Sequence, residues 1–270
     1  MPVLNSNGAR VWKRRSERES LERFGKMLVL LVALLISMRY ISGQTIWIFV
    51  ADAPRQVADF LSRMFPPDLS YANRTWVALW DTINIAVFGT LIAVVVSIPI
   101  AVLAAKNTSP HWIARSASMV IIVTSRSVNS LIWAMLIVQV VGPGLFAGVL
   151  AIGIRSVGMI SKLIYEAIEE INREPIEAVA ATGATPAQIF LYGYIPQLMP
   201  TFVGVSVYRW EINIRESTII GIVGGGGIGF LLNSAINRLA WDQVLVVLIA
   251  ILATVAVAEW VSARVREAVT

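Results

Sequence analysis

Apolar stretches too long for any soluble core recur along this chain, and most of them end on arginine or lysine. The stretch centred on residues 27–37 reads MLVLLVALLIS, and five more apolar runs follow before the C-terminus. A helix needs about 20 apolar residues to cross ~30 Å of hydrocarbon, so the runs are read as membrane spans. With 270 residues, 57% of them hydrophobic and 14% charged, a soluble domain has nowhere to hide such side chains. The formal net charge of +5 resides mostly at the ends of the apolar runs, the distribution of the positive-inside rule, and implies no nucleic acid partner. Cysteine is absent, which excludes disulfides, thiolate metal sites and cysteine nucleophiles. His111 is the only histidine, so no metal site is expected, and His111 is read as a solvated side chain.

The basic residues also orient the runs. Arg10, Lys13, Arg14, Arg15, Arg18, Arg23 and Lys26 outnumber Glu17, Glu19 and Glu22 ahead of the first span, predicting a cytoplasmic N-terminal segment, 1–26. The span at 24–40 follows a long basic preface and lacks a small-residue cleavage pattern, so it is read as an anchor. Asp52 and Pro54 read as a helix start, the carboxylate capping free amides and the proline occupying the first turn. Val57, Phe60, Leu61 and Met64 then follow at helical spacing until Pro66-Pro67, predicting an amphipathic helix on the outer membrane face within region 27–74. A second amphipathic stretch, with Ala72, Trp76, Trp80 and Ile83 on one side, opens the main membrane core, 75–270.

Further spans are expected at 83–105, 118–141, 145–164, 195–208 and 244–261. Lys106, His111 and Arg115 place one loop in the cytoplasm, Gly142-Pro143-Gly144 forms an outer turn, and Arg264 with Arg266 places the C-terminus inside. The fold class is an all-α membrane protein of about six transmembrane helices with both termini cytoplasmic.

The segment 166–188 is too charged to span. From Glu177 the chain reads EAVAATGATPAQIFLYGYIPQLMP. Pro175 starts a short helix whose Glu177, Ala178 and Ala181 are anionic or small enough for close docking, and Gly183 ends it. Thr185 caps a second helix with Pro186 in its first turn. Glu177, Ala178, Gly183, Pro196 and Pro200 resemble the EAA loop of ABC importer permeases, with departures at Val179, Gly193 and Ile195. An ordinary polar loop is the plain alternative. The stretches YEAIEEI (165–171), YRWEINIRES (208–217) and IGIVGGGGIGF (220–230) are similar to the phosphonate permease group within the methionine-type fold. The resemblance covers the chain from about Thr75 onward.

That resemblance implies a type I importer transmembrane fold in the bacterial inner membrane. Its coupling loop at about 166–195 enters a groove of an ATPase. It further implies a homodimer, two ATP-binding subunits and an extracytoplasmic substrate-binding protein. The chain itself holds no cofactor or catalytic residue; ATP and Mg belong to the partner. The implied cargo is a phosphonate- or phosphite-type oxyanion, with another small solute such as an amino acid as the alternative.

Ionisable groups within a bilayer face a cavity or one another. Arg126, Arg155, Arg209, Glu211, Arg215 and Glu216 all fall in or beside apolar runs. One reading makes Arg126 and Arg215 a source of positive potential along a translocation path, tempered by Glu211 and Glu216, with Ser127, Asn129 and Asn213 as polar lining. The other makes these charges ion pairs that fix helix packing. The glycines Gly224, Gly225, Gly226, Gly227 and Gly229 lack the Lys-Ser or Lys-Thr of a nucleotide loop, so they are read as a re-entrant turn or close helix contact at an outer gate. An ion-coupled secondary transporter would show a second copy of that break in the first half, and an intramembrane enzyme would need a nucleophile with its base; neither is found in the sequence.

Overall fold

The computed structural model describes residues 3–6, 9–12 and 17–269. Lys13, Arg14 and Arg15, part of the N-terminal basic excess, lie outside the described residues. The chain forms two compact units, the second beginning at Phe60. In the first unit, strands β1 (Val3–Ser6) and β2 (Ala9–Trp12) pair antiparallel, with Val3 opposite Trp12. Helix α1 (Glu17–Gln44) runs past Arg39 and Tyr40, because unbroken helix keeps every backbone amide bonded in lipid. Its apolar part, Leu21–Gln44, is 24 residues long and spans roughly 36 Å, enough for one crossing.

Helix α2 (Trp47–Met64) corrects the expected start at Asp52. The apolar residues Trp47, Ile48, Phe49 and Val50 already lie in the helix, and the Trp47 indole Nε1 donates to the Ser42 carbonyl at 3.1 Å. Asp52 is therefore interior and accepts from Gln56 Nε2 at 3.0 Å, and Pro54 lies inside the helix.

In the second unit a short turn, Leu69–Tyr71, is capped by Asp68, whose Oδ1 accepts from the Ser70 hydroxyl at 2.6 Å and from its amide at 3.0 Å. The Ser70 hydroxyl is the chief cause that holds this carboxyl below its ordinary range. Helix α3 (Ala72–Ala104) then joins the expected amphipathic stretch and second span into one 33-residue helix. No breaker separates them. The hydroxyls of Thr75, Thr82 and Thr90 donate to carbonyls four residues back, at 3.0, 2.9 and 2.6 Å, so polar groups in the helix are satisfied locally.

The expected third span is broken. Helices α4 (Trp112–Ser127) and α5 (Ser130–Val141) meet at 95°. Val128 and Asn129 are extended, and the Asn129 side chain caps α5 by accepting from Leu131 N at 3.1 Å. Among the last four carbonyls of α4, which helix geometry orphans, that of Ser125 accepts from Trp133 Nε1 at 3.3 Å.

Helix α6 (Leu145–Glu169) is the centre of the bundle. Gly89, Ala93, Ser97 and Ala101 form a stripe of small residues on α3, and α6 packs into it. Lipid is as apolar as leucine, so such close backbone approach, with hydrogen bonds between helices, supplies the association energy. The Ser97 hydroxyl donates to the Val157 carbonyl at 3.2 Å, and Ser161 donates back to the Ser97 carbonyl at 3.4 Å. On the other side of α6, Ser125 Oγ donates to the Ile154 carbonyl at 2.5 Å and accepts from Gly158 N at 2.9 Å.

Two short helices, α7 (Arg173–Ala181) and α8 (Pro186–Ile189), fill the polar segment. A π turn, Phe190–Tyr194, leads into α9 (Ile195–Ile220), which is longer than the predicted 195–208. After the glycine turn come α10 (Gly227–Asn237), at 58° to the preceding helix, and α11 (Trp241–Val269). Four single helices and two bent pairs give up to six crossings.

A Cβ added at Gly158 would lie 2.6 Å from Ser125 Oγ and 2.7 Å from the Ile122 carbonyl, whereas at Gly204 nothing lies within 4 Å. Gly158→Ala is therefore expected to lower stability by about 1–3 kcal/mol and Gly204→Ala to leave it intact, read as melting temperature in detergent.

Candidate functional site

A seam of polar side chains crosses the interior of the bundle. Asn213 on α9 is fully buried; its Nδ2 donates to Thr90 Oγ1 on α3 at 2.7 Å, and its Oδ1 accepts from Ser156 Oγ on α6 at 3.1 Å. Ser156 Oγ also accepts from Arg209 Nε at 2.9 Å. Arg209, one helical turn before Asn213, sends its Nη2 to Glu216 Oε2 at 3.2 Å. The other oxygen of Glu216 meets Arg155 Nη1 at 2.8 Å, and that nitrogen also donates to Ser130 Oγ at 3.1 Å. Ser130 in turn donates to Asn129 Oδ1 at 3.2 Å, so the seam runs from α3 to the cap of α5.

Glu216 thus serves two guanidiniums from two helices. Arg155 lies roughly 15 Å along α6 from its Leu145 end, at membrane depth. Ion pairing was one of the two readings of these charges, and for Arg155, Arg209 and Glu216 the geometry is paired. Sequence spacing alone does not reveal the pairs: Arg155 and Glu216 are 61 residues apart.

A second charged group lies on α9. Glu211 Oε1 accepts from Arg215 Nη2 one turn on, and Glu211 Oε2 is 3.8 Å from Arg266 Nη2 on α11. Arg126 and Ser127 are exposed at the end of α4, and the Ser127 hydroxyl donates to the Val123 carbonyl at 2.7 Å. The pathway candidates therefore separate into the seam (Asn213, Glu216), its capped end (Asn129), the ion pair of α9 that meets Arg266 of α11 (Glu211, Arg215) and the bend of α4 (Arg126, Ser127).

The glycine turn has a different logic. Gly221–Gly225 form a π turn, Gly224 and Gly226 have positive φ, and Gly148 of α6 lies directly against the Gly225 carbonyl. Gly227, at φ 72°, lies against Thr82, whose Oγ1 accepts from Ile228 N at 2.7 Å. A side chain of α3 thereby caps α10. Gly229 touches the Thr218 carbonyl region, leaving no space for a side chain.

At the other end of α9, α7, α8 and the π turn form an arm. Asn172 Oδ1 accepts from Glu174 N at 3.1 Å, so α7 begins at Arg173, two residues before the expected Pro175. Ile176 and Val179 turn inward, whereas Glu177, Ala178 and Ala181 are exposed. Gly183 ends α7 at φ 78°. Thr185 and Gln188 form a reciprocal capping box, with Pro186 at the first helical position. Two features unforeseen in the sequence seat the arm. A Cβ on Gly193 would lie 3.3 Å from the Ile176 backbone, and Gln197 Nε2 bridges the carbonyls of Asn172 at 3.2 Å and Gly193 at 2.8 Å.

Bent crossings around a charged interior seam, with an exposed helical arm between two of them, define a transport permease. The chain belongs to the binding-protein-dependent transport system inner membrane components, whose family signature matches residues 97–269. It is a multi-pass inner-membrane protein. It is 42% identical over 212 residues to a phosphite transport system permease protein of Stutzerimonas stutzeri, covering 78% of this chain and 77% of that one. It is 36% identical over 215 residues to a phosphate-import permease protein of Mycolicibacterium smegmatis, covering 80% of this chain and 40% of that one. Its fold is that of type I ABC importer membrane domains. An inward-facing methionine ABC transporter matches with a TM-score of 0.61 at 23% identity over 72% of this chain and 94% of that one. An amino acid ABC transporter matches with a TM-score of 0.63 at 17% identity over 74% and 95%. The architecture is the general one of ABC importers, in which permease, ATPase and substrate-binding protein are separate parts.

Asn213 makes two hydrogen bonds between helices. Asn213→Leu is expected to cost about 1 kcal/mol, at ~0.6 kcal/mol for each membrane hydrogen bond, read as a lower melting temperature.

Proposed function

We propose that this chain forms the translocation path of an ATP-driven importer for phosphite- or phosphonate-type oxyanions. Two copies of it would pair with two ATPase subunits and receive cargo from an extracytoplasmic binding protein. The observation that carries the coupling half of this reading is the arm: α7 and α8 turn exposed Glu177, Ala178, Ala181, Gly183, Thr185 and Pro186 away from the bundle, while Gly193 and Gln197 tie the arm's base to α9. Small and anionic residues on a short, well-capped helix suit insertion into a groove of another protein. Motion of that groove is delivered to α9, the helix that holds Arg209, Glu216 and the glycine turn.

The cargo half rests on the relatives named for phosphite and phosphate and on the two arginines to one glutamate in the seam, since the guanidinium fork suits tetrahedral oxyanions. Arg126 and Arg215 supply positive potential along the path, Glu211 and Glu216 temper it, and Ser127, Asn129 and Asn213 are its polar lining. The glycines from Gly224 to Gly229 form the outer gate. Alternating access then requires two packings within a few kcal/mol of one another, so that ATP and loaded binding protein shift the balance.

Mixed with the purified ATPase, the wild-type chain is expected to form a stable complex, and Glu177→Arg with Gly183→Leu to weaken it by about tenfold or more while the permease still melts cooperatively. Unchanged complex formation would remove the arm from the coupling role. In reconstituted vesicles Arg126→Gln is expected to reduce phosphite uptake; unchanged uptake would take Arg126 off the path.

A further inference from the structure

Arg155 differs from the other interior arginine in how it spends its donors. A guanidinium carries five N–H groups in a planar fork. Arg209 uses the edge formed by Nε and Nη2, giving one bond to Ser156 and one to Glu216, and is almost fully buried. Arg155 commits only Nη1, to Ser130 and Glu216. Its Nε and Nη2 have no protein acceptor among the described residues, and its side chain keeps 28% exposure, against 5% for Arg209. That free pair is the edge whose two parallel N–H groups meet two oxygens of one anion.

The charge balance points the same way. Arg155, Arg209 and Glu216 together carry one positive charge in excess, at membrane depth where an uncompensated charge is expensive. Locking α6 to α9 needs one pair; the Arg209–Glu216 bond and the Ser156 contact already join α9 to itself and to α6. The second guanidinium is surplus to that lock, stays partly exposed, and keeps a donor edge with no protein acceptor among the described residues.

We propose that the Nε–Nη2 edge of Arg155 is a transit site for a tetrahedral oxyanion. This assignment rests on the oxyanion reading given above. Glu216 is the built-in competitor of that site. It already occupies one side of the guanidinium, so an arriving anion meets a cation whose charge is part-neutralised and leaves again readily, as a conducting site requires. Ser130, which shares Nη1 and adjoins the Asn129 cap, ties occupancy of the site to the bend between α4 and α5.

The test uses the whole transporter, permease with ATPase and binding protein, reconstituted in vesicles with phosphite as the probe. Arg155→Gln leaves Arg209 and Glu216 as a balanced pair. The expected result is uptake reduced by about tenfold or more, with assembly and melting temperature unchanged. Arg155→Lys keeps the charge but not the fork, and is expected to raise the half-saturating concentration and lower uptake several-fold at unchanged melting temperature. Wild-type uptake in either variant overturns the assignment, as does a loss of uptake in Arg155→Lys that is matched by a loss of melting temperature, the signature of a packing pair. Should Arg155→Gln fail to assemble, Arg155→Lys alone decides on those two criteria. A wild-type transporter that imports another solute and no phosphite overturns the oxyanion reading itself, and this site with it; phosphite uptake indifferent to Arg155 overturns the site and leaves that reading standing.

Discussion

The carboxylate of Glu216, held between guanidiniums on two helices, is the interaction around which the interior is organised. Water drives no helix together inside a bilayer, so association depends on close backbone contact and on polar groups that have no better partner. The stripe of small residues on α3 supplies the first, and Glu216 anchors the second. From Glu216 the bonds run through Arg209 and Ser156 to Asn213 and Thr90, and through Arg155 to Ser130 and the Asn129 cap. Losing the carboxylate would leave two like charges at depth and disconnect both branches. One residue therefore links α9 to α6 and, through Arg155 and Ser130, reaches the start of α5.

Helix α9 gathers three separate features along one element. Its N-terminal end carries the arm through Gln197, its middle carries the seam, and its C-terminal end dissolves into the glycine turn that Gly148 and Thr82 hold in place. At 26 residues it is roughly 39 Å long, with Pro200 inside the helix near the arm, where one backbone hydrogen bond is missing. The π turn Phe190–Tyr194 joins the arm to the helix. The bends at 95° and 58° are confined to α4–α5 and α9–α10, where extended residues or glycines replace helical backbone.

Much of this was legible in the chain because it depends on local rules. Apolar length marked the crossings, and the box of Thr185 with Gln188 and the left-handed Gly183 obey capping chemistry that needs only neighbouring residues. Where local rules misled, a continuing helix outweighed them. Asp52 and Pro54 resemble a start signal, yet the apolar residues from Trp47 onward were already helical; Ala72 to Ile83 resemble a surface stretch, yet nothing interrupts them before Ala104. Contacts between distant residues left no trace at all. Arg155 and Glu216, Thr82 and Ile228, Gly193 and Ile176 meet only once the helices are packed. The last of these explains a departure from the expected loop pattern: Gly193 stands where isoleucine is usual, and the backbone of Ile176 lies over it.

The two charged groups on α9 have the same stoichiometry, two arginines to one glutamate, and differ in what surrounds them. Around Glu211 the carboxylate is buried while Arg215 and Arg266 keep 47% and 39% of their side-chain exposure, so both cations remain solvated at their tips and the surplus charge is inexpensive. Around Glu216 one arginine is buried at 5% exposure and the other is only partly open at 28%. A cation that is only partly exposed and shares its one carboxylate with a second arginine is better balanced when a further anion meets it. The Glu211 group has the form of a clamp between α9 and α11, made from side chains that reach outward. The Glu216 group is recessed, shares its acceptor and leaves a donor edge unfilled, which is the form expected of a place that an anion occupies briefly and then leaves.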